Sequence, residues 1–309
     1  MKSLATLTMN PTIDASYDVD RIFPTHKIRT HNERYDPGGG GINVARVFSR
    51  LGGPVRCIYL SGGATGTAFD SLIDGKGLPR IRIEIAESTR IASAVHETGT
   101  GKEYRFTPAG PTISAEECGR CLDALREVRC DYLVASGSLP PGVPADFYAE
   151  AGRIMRERGI AFVLDTSGDA LAATLAEGGV HLVKPSAGEL RKLTGCELAT
   201  TGEIGAAAME LVHSGRAELV AVTLGHLGAV LARAEGTLCL PTVNIAARSS
   251  VGAGDSFLAA MVFALASGRD PVAAFRYGIA AGAASVLNPG TGLAHPEDIE
   301  RLSGMVAAA

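Results

Sequence analysis

The chain has 309 residues, 46% of them apolar and 20% charged, with 38 glycines and no tryptophan. That length suits about two domains, or one α/β core with an appendage, and the apolar fraction excludes wholesale disorder. A net charge of −4, from 29 basic and 33 acidic residues, is too balanced to point to nucleic acid as a partner. The longest strongly apolar run, 257–266, is half the roughly 20 residues that a membrane-spanning helix needs. Residues 1–14 carry no signal-peptide pattern, so no membrane partner and a cytoplasmic location are expected.

Strand-like runs of β-branched and apolar residues fall at 4–8, 55–60, 131–135, 161–165, 180–184 and 218–223. Helical patterns lie between most of them. Over 42–51, Val44, Val47, Phe48 and Leu51 share one helical face. Ser114 with Glu117 forms a capping box that opens a helix expected to run through Cys130. Further helices are expected at 147–158, 203–212, 255–267 and 271–287. Alternating strands and helices imply βαβ units, hence a mostly parallel sheet covered on both faces.

Two segments break the rhythm. Residues 15–35 lack helical periodicity and end in a polar, extended stretch. Residues 91–107 alternate, turn at Gly99-Thr100-Gly101 and continue as Glu103-Tyr104-Arg105-Phe106, the pattern of a hairpin. Together they suit a small β-sheet beside the core, which needs a partner for its face and edges. Cys118 and Cys121 have C-x-x-C spacing, but they lie within a helical pattern with no second pair and no nearby His, so they read as buried thiols.

Two glycine clusters carry candidate chemistry. Gly38-Gly39-Gly40-Gly41 runs straight into the helix at Ile42-Asn43. Four residues without side chains leave backbone N–H groups free to face a ligand beside a helix N-terminus. The second cluster, Gly252-Ala253-Gly254-Asp255, opens a nearly all-apolar helix. Its amides suit a developing anion. Asp255 fits two roles at this point: a simple helix cap, or the acceptor of a proton from an attacking hydroxyl during phosphoryl transfer. No Walker-type G-x-x-x-x-G-K-[ST] exists, and no clean G-x-G-x-x-G follows the first strand, which weakens a nicotinamide dehydrogenase reading.

Residues 37–45, PGGGGINVA, and 251–256, VGAGDS, resemble the two signatures of the ribokinase-like (PfkB) sugar kinases. The resemblance covers nearly the whole chain. Thr6-Leu7-Thr8 with Pro11 and Asp14, the runs 62–66, 136–142 and 182–185, and Leu287-Asn288 with Gly290-Thr291 all match the subgroup that phosphorylates already phosphorylated hexoses. Four successive glycines resemble the members that use fructose 6-phosphate. Relatives acting on fructose 1-phosphate or tagatose 6-phosphate usually carry a Lys there.

The resemblance implies an α/β ribokinase-like fold, with a mostly parallel central sheet flanked by helices and a small β-sheet lid. The core would comprise 1–14, 36–88 and 109–309, and the lid 15–35 and 89–108. It implies transfer of phosphoryl from ATP, with Mg²⁺, to the C1 hydroxyl of fructose 6-phosphate. The alternatives are fructose 1-phosphate or tagatose 6-phosphate as substrate, or a non-catalytic binding protein on this fold.

Residue roles are implied in the same way. Asp255 is the base, and Gly252, Ala253 and Gly254 face the transferring phosphoryl. Asp14, Gly38, Gly39 and Asn43 hold the sugar, while Lys27, Arg90 and Ser138 meet its phosphate. Lys184, Thr223, Gly225, Gly228, Ile279, Gly282, Ala283 and Asn288 hold ATP, with His226 a loop residue. Glu189 and Asp165 anchor Mg²⁺ through water. Ser249, Ser285, Asn288 and Gly290 mark a potassium site. Ser186 stands where relatives usually have Asn. A homodimer through the lid is expected.

Overall fold

The computed structural model describes residues 1–245, 251–288 and 292–307. Strand β1 (Leu4–Thr8) is buried along its whole length and leads through Asn10 into β2 (Thr12–Val19) and β3 (His31–Gly38). There follow α1 (Gly40–Arg50), β4 (Val55–Gly62), α2 (Gly63–Gly75) and β5 (Arg80–Ile85). The chain then makes β6 (Arg90–Glu97), β7 (Lys102–Phe106), α3 (Ala115–Glu127), β8 (Tyr132–Ser136) and α4 (Phe147–Glu157). Next come β9 (Ala161–Asp165), α5 (Gly168–Glu177), β10 (Val180–Val183), α6 (Ala187–Thr194) and α7 (Thr201–His213). The last elements are β11 (Ala217–Thr223), β12 (Ala229–Arg233), β13 (Gly236–Leu240), α8 (Ala253–Ala266), α9 (Pro271–Ser285) and α10 (Pro296–Ala307).

Nine strands form the large sheet in the order β13-β12-β11-β10-β9-β8-β1-β4-β5. Seven of them, β11 through β5 in that order, pair in parallel. The runs of Val, Ile, Leu and Ala that mark them are buried because helices cover both faces. One apolar layer lies under α3, α4 and α5, and the other under α1, α8 and α9. Burial of each Leu, Ile or Phe contributes roughly 1.5–3 kcal/mol, so these two layers are the main stabilising mass.

The expected parallel strands appear within one or two residues of their ends. Three strands were not expected. β5, RIRIEI, is an edge strand whose Arg80 and Arg82 reach the buried Asp70 (3.5 and 3.1 Å). β12 and β13 form an antiparallel hairpin at the opposite edge. The Ser114 capping box forms with both of its hydrogen bonds, but α3 ends at Glu127 rather than Cys130, because Val128 leaves the helix for extended backbone. Cys118 and Cys121 are buried in α3, with Cys121 Sγ 3.6 Å from Met9 Sδ; burial pushes both thiols up, as expected of inert core cysteines.

The second sheet has the order β3-β2-β6-β7, with β2 and β6 parallel and the outer pairs antiparallel. It begins at Thr12 and reaches Gly38, so its strands extend past the 15–35 expected. Both excursions leave the C-terminal ends of core strands, β1 and β5, the end where α/β sheets hold ligands.

Candidate active site

The four-glycine run is shaped by the protein's own atoms. A β-carbon on Gly38 would overlap the Asp14 carboxylate, on Gly40 the Ser136 hydroxyl, and on Gly41 the Thr8 hydroxyl. Gly39 combines φ 105° with a Thr8 methyl 2.8 Å from where its β-carbon would stand. The run is thus also a close seat for α1 on β1 and β8, a packing reason for the glycines beside the ligand-facing one expected from the sequence.

That seat brings Asn43 to Asp255. Asn43 Nδ2 donates to Asp255 Oδ2 at 2.9 Å. Asp255 stands in the first turn of α8, behind Gly252 at φ 72°. Burial, with Asp165 nearby, pushes its carboxyl up to about 6, against the lowering effect of Asn43, Lys184 and Arg46. The first bond of the turn runs from Ser256 N to Gly252 O (2.8 Å), so the N–H groups before it lie at the free, electropositive helix end.

Lys184 is buried behind this turn. Its Nζ lies 3.0 Å from Asp165 Oδ1, and a β-carbon on Gly254 would sit 3.2 Å from it. A cleft of about 260 Å³ is lined by Gly40, Ser136, Ser138, Asp165, Glu189 and Asp255. A second, more apolar cleft of about 360 Å³ is lined by Thr223, Gly225, Gly228, Ala253, Gly254, Ile279, Gly282 and Ala283. Successive residues of one helix start, Gly254 and Asp255, therefore face two clefts.

Asp14 stands on β2 beside Gly38. Burial pushes its carboxyl up to about 7, against Arg46 and Arg90. Arg90, the first residue of β6, donates to Pro108 O and Asn10 O (both 2.8 Å) and leaves a buried Nε without a partner. It shares a third cleft, about 510 Å³, with Ser138. Lys27 is exposed on the loop between β2 and β3 and lines none of these clefts.

A profile of the pfkB family carbohydrate kinases matches residues 7–298. The chain belongs to that family. It is thus a phosphotransferase that acts on carbohydrate. An ATP-dependent 6-phosphofructokinase isozyme 2 of Mycobacterium tuberculosis is 44% identical over 306 residues, 98% of this chain and 90% of that one. Phosphofructokinase-2 from Escherichia coli superimposes in complex with potassium at a TM-score of 0.95 (36% identity, 99% of this chain, 100% of that one). Its complex with fructose-6-phosphate gives 0.93 (35% identity, the same shares). An Arabidopsis thaliana ribokinase shares the fold at a TM-score of 0.76, with 19% identity over 98% of both chains.

For this pfkB-family kinase, the fold is ribokinase-like, and sequence reasoning missed several residues around the clefts. Thr242, Val243, Ile245, Phe257 and Val286 also line the 360 Å³ cleft, and His226 joins them. Asn288 does not line it; its amide donates to Leu293 O (3.2 Å). Arg46 and Asn10 were missed too. Asn10 is buried, donates Nδ2 to Ala109 O (2.8 Å) and Ser138 Oγ (3.4 Å), and accepts Arg90 on its carbonyl. Its sequence signal is an Asn-Pro step two residues after a fully buried strand.

Ser186 caps α6. Its hydroxyl accepts from Glu189 N (3.2 Å), while the Glu189 carboxylate accepts from Ser186 N and Oγ (2.7 and 2.9 Å). Among the described residues no three His, Cys, Asp or Glu converge on a point where a metal would sit. Ser285 Oγ lies 3.4 Å from both Val251 O and Gly292 O. Ser249 and Gly290 fall outside the described residues. No helix among the described residues is long and apolar enough to cross a membrane.

Proposed function

We propose that the chain transfers the γ-phosphoryl group of ATP to the C1 hydroxyl of fructose 6-phosphate. The observation that carries this reading is the start of α8, where Gly254 lines the apolar cleft and Asp255 the polar one, one residue apart. A nucleotide in the first cleft and a sugar in the second would meet over the same helix N-terminus.

In this reading Asp255 accepts the hydroxyl proton. One of its oxygens is held by Asn43, which leaves the other for the sugar, and a carboxyl raised to about 6 is a better base near neutrality than an ordinary one. The amides of Gly252, Ala253 and Gly254 take up charge on the transferring group, and Lys184 adds a cation behind them. Asp14, Gly38, Gly39 and Asn43 orient the sugar. Arg90 and Ser138, with Lys27 from the lid loop, meet its 6-phosphate; Arg90 and Ser138 line one cleft, where a guanidinium and a hydroxyl suit that anion. Thr223, Gly225, Gly228, Ile279, Gly282 and Ala283 hold the nucleotide.

Mg²⁺ suits the donor set of the polar cleft, which offers the carboxylates of Asp165 and Glu189 without a converging cage. Such a site fits an ion that keeps several waters and binds through the nucleotide phosphates. Bound there, it would neutralise phosphate charge. Ser186 takes over part of the Glu189 carboxylate, which supports outer-shell anchoring. A potassium ion beside Ser285 and Asn288 belongs to the same reading.

The lid is residues 15–35 and 89–108 with their strand roots, and the core is the remainder. Phe23, Tyr35, Ile91 and Phe106, 44–60% exposed, all lie on the lid sheet or its loop. A second copy seated there would cover them, which supports a homodimer. The protein works in the cytoplasm.

The test is a kinetic panel with ATP and fructose 6-phosphate, fructose 1-phosphate, tagatose 6-phosphate and unphosphorylated fructose. The highest kcat/KM should belong to fructose 6-phosphate. No ADP formation with any sugar would overturn the reading. Asp255→Asn should lose several orders of magnitude in kcat while still binding ATP and sugar in a calorimeter.

A further inference from the structure

Arg46 lies one helical turn beyond Asn43 on α1 and is only 5% exposed. Its Nη1 donates to Pro37 O (3.0 Å) and to Asn43 Oδ1 (3.3 Å). Its Nη2 donates to Asp36 Oδ1 (3.0 Å), which also meets Lys76 Nζ at 2.9 Å. Asn43 uses the other end of its amide on Asp255, at 2.9 Å.

An amide engaged at both ends has one stable orientation. Turned over, Asn43 would set its oxygen against the Asp255 carboxylate and its NH₂ against a guanidinium, acceptor facing acceptor and donor facing donor. The Asp255 carboxylate fixes the amide from one end, and the Arg46 guanidinium fixes it from the other. Without the guanidinium, the Asn43 amide would be held at its Nδ2 end only, and its plane could swing about that single bond.

We infer that Arg46 is a positioning residue for phosphoryl transfer: it fixes the Asn43 amide so that Nδ2 holds one oxygen of Asp255 and leaves the other toward the sugar. Because Asp36 and Pro37 belong to β3, the same guanidinium ties a lid strand to the base. Arg46 touches no reacting atom; its charge also favours the ionised Asp255 and Asp14, an effect that a lysine would keep, while its positioning effect passes through Asn43. The inference rests on the reading of Asp255 as the base.

The test is a double-mutant cycle with Arg46→Lys, Asn43→Ala and the double variant, assayed with fructose 6-phosphate and ATP, each checked for native circular dichroism and Tm. Arg46→Lys keeps a cation for Asp36, so it should fold, but a single ammonium replaces the planar fork. It should lower kcat roughly 10- to 100-fold and leave the KM for ATP within about twofold. In the Asn43→Ala background the same substitution should change kcat less than about threefold, since the effect passes through Asn43. Equal losses in both backgrounds, or a loss that only follows the folded fraction, would overturn the inference. The Asp255→Asn variant separates the two ideas. If it keeps parental kcat, the base reading fails. If it is inactive while the cycle is additive, only the role of Arg46 fails.

Discussion

Gly41→Ala adds one methyl group where α1 is seated against the backbone of β1. The new β-carbon would stand 2.8 Å from the carbonyl oxygen of Leu7 on β1. Ordinary contact begins near 3.4 Å, so helix and strand must part by roughly 0.6 Å. Thr8 Oγ1 lies closer still, but a side chain can rotate and a central strand of a nine-stranded sheet cannot. Overpacking of this kind costs about 1–3 kcal/mol. At about 2–4 °C per kcal/mol for chains of 150–250 residues, Tm should fall by several degrees.

The same displacement carries Asn43, two residues on, away from Asp255. Since a shift of about 1 Å at a catalytic group can cost 10²-fold, kcat should fall about tenfold or more. Gly119→Ala in α3 is the matched control: its β-carbon meets nothing within 4 Å. It should gain roughly 0.5–1 kcal/mol from helix propensity, with unchanged kcat. Differential scanning fluorimetry and steady-state kinetics on the pair read both effects. A Gly41→Ala protein as stable and as active as its parent would refute the argument that close seating, rather than chain flexibility, explains the run.

Three further outcomes are expected. Asp14 and Asp255 hold protons to about 7 and about 6 in the folded protein, so the folded state binds more protons than the unfolded chain between about pH 4 and 7, and stability falls as pH rises through that window. Asp14→Asn and Asp255→Asn should therefore have a higher Tm than the parent at pH 8, with the gap closing toward pH 5; a gap that widens at acid pH would contradict the raised values. Phe106→Asp should shift sedimentation from dimer to monomer, and an unchanged profile would remove the lid from the interface. Arg90→Met should raise the KM for fructose 6-phosphate more than tenfold with the KM for ATP nearly unchanged, since a charge-assisted bond is worth roughly 1.5–3 kcal/mol.

What the sequence made legible is what depends on neighbours along the chain. β1, β9 and the Ser114 capping box are local patterns, and they stand as expected. The two glycine clusters were visible for the same reason. β5 was hidden because arginines occupy its alternate positions, and Asp70 and Asp74 on α2 make those cations welcome at a half-buried edge. Arg46 was hidden because an arginine on an amphipathic helix normally reads as solvated. Its burial depends on Asp36, ten residues earlier on β3. Thr242, Val243 and Ile245 reach the apolar cleft only because the β12–β13 hairpin turns the chain back over it.

The parallel pairing of β2 with β6 has a consequence for how the molecule comes into being. Thr12 faces Arg90 and Val19 faces Glu97, so every rung joins residues 78 apart in the chain. Neither excursion can make that ladder alone, and the entropy of closing so long a loop is met only once β1, β4 and β5 are side by side. The second, four-stranded sheet is then a late event in folding, and Arg90 reaches the Asn10 carbonyl at its completion. Under the proposed roles, a partly folded chain with an intact apolar cleft would still lack a place for the sugar, so the competence to turn over substrate would arrive last.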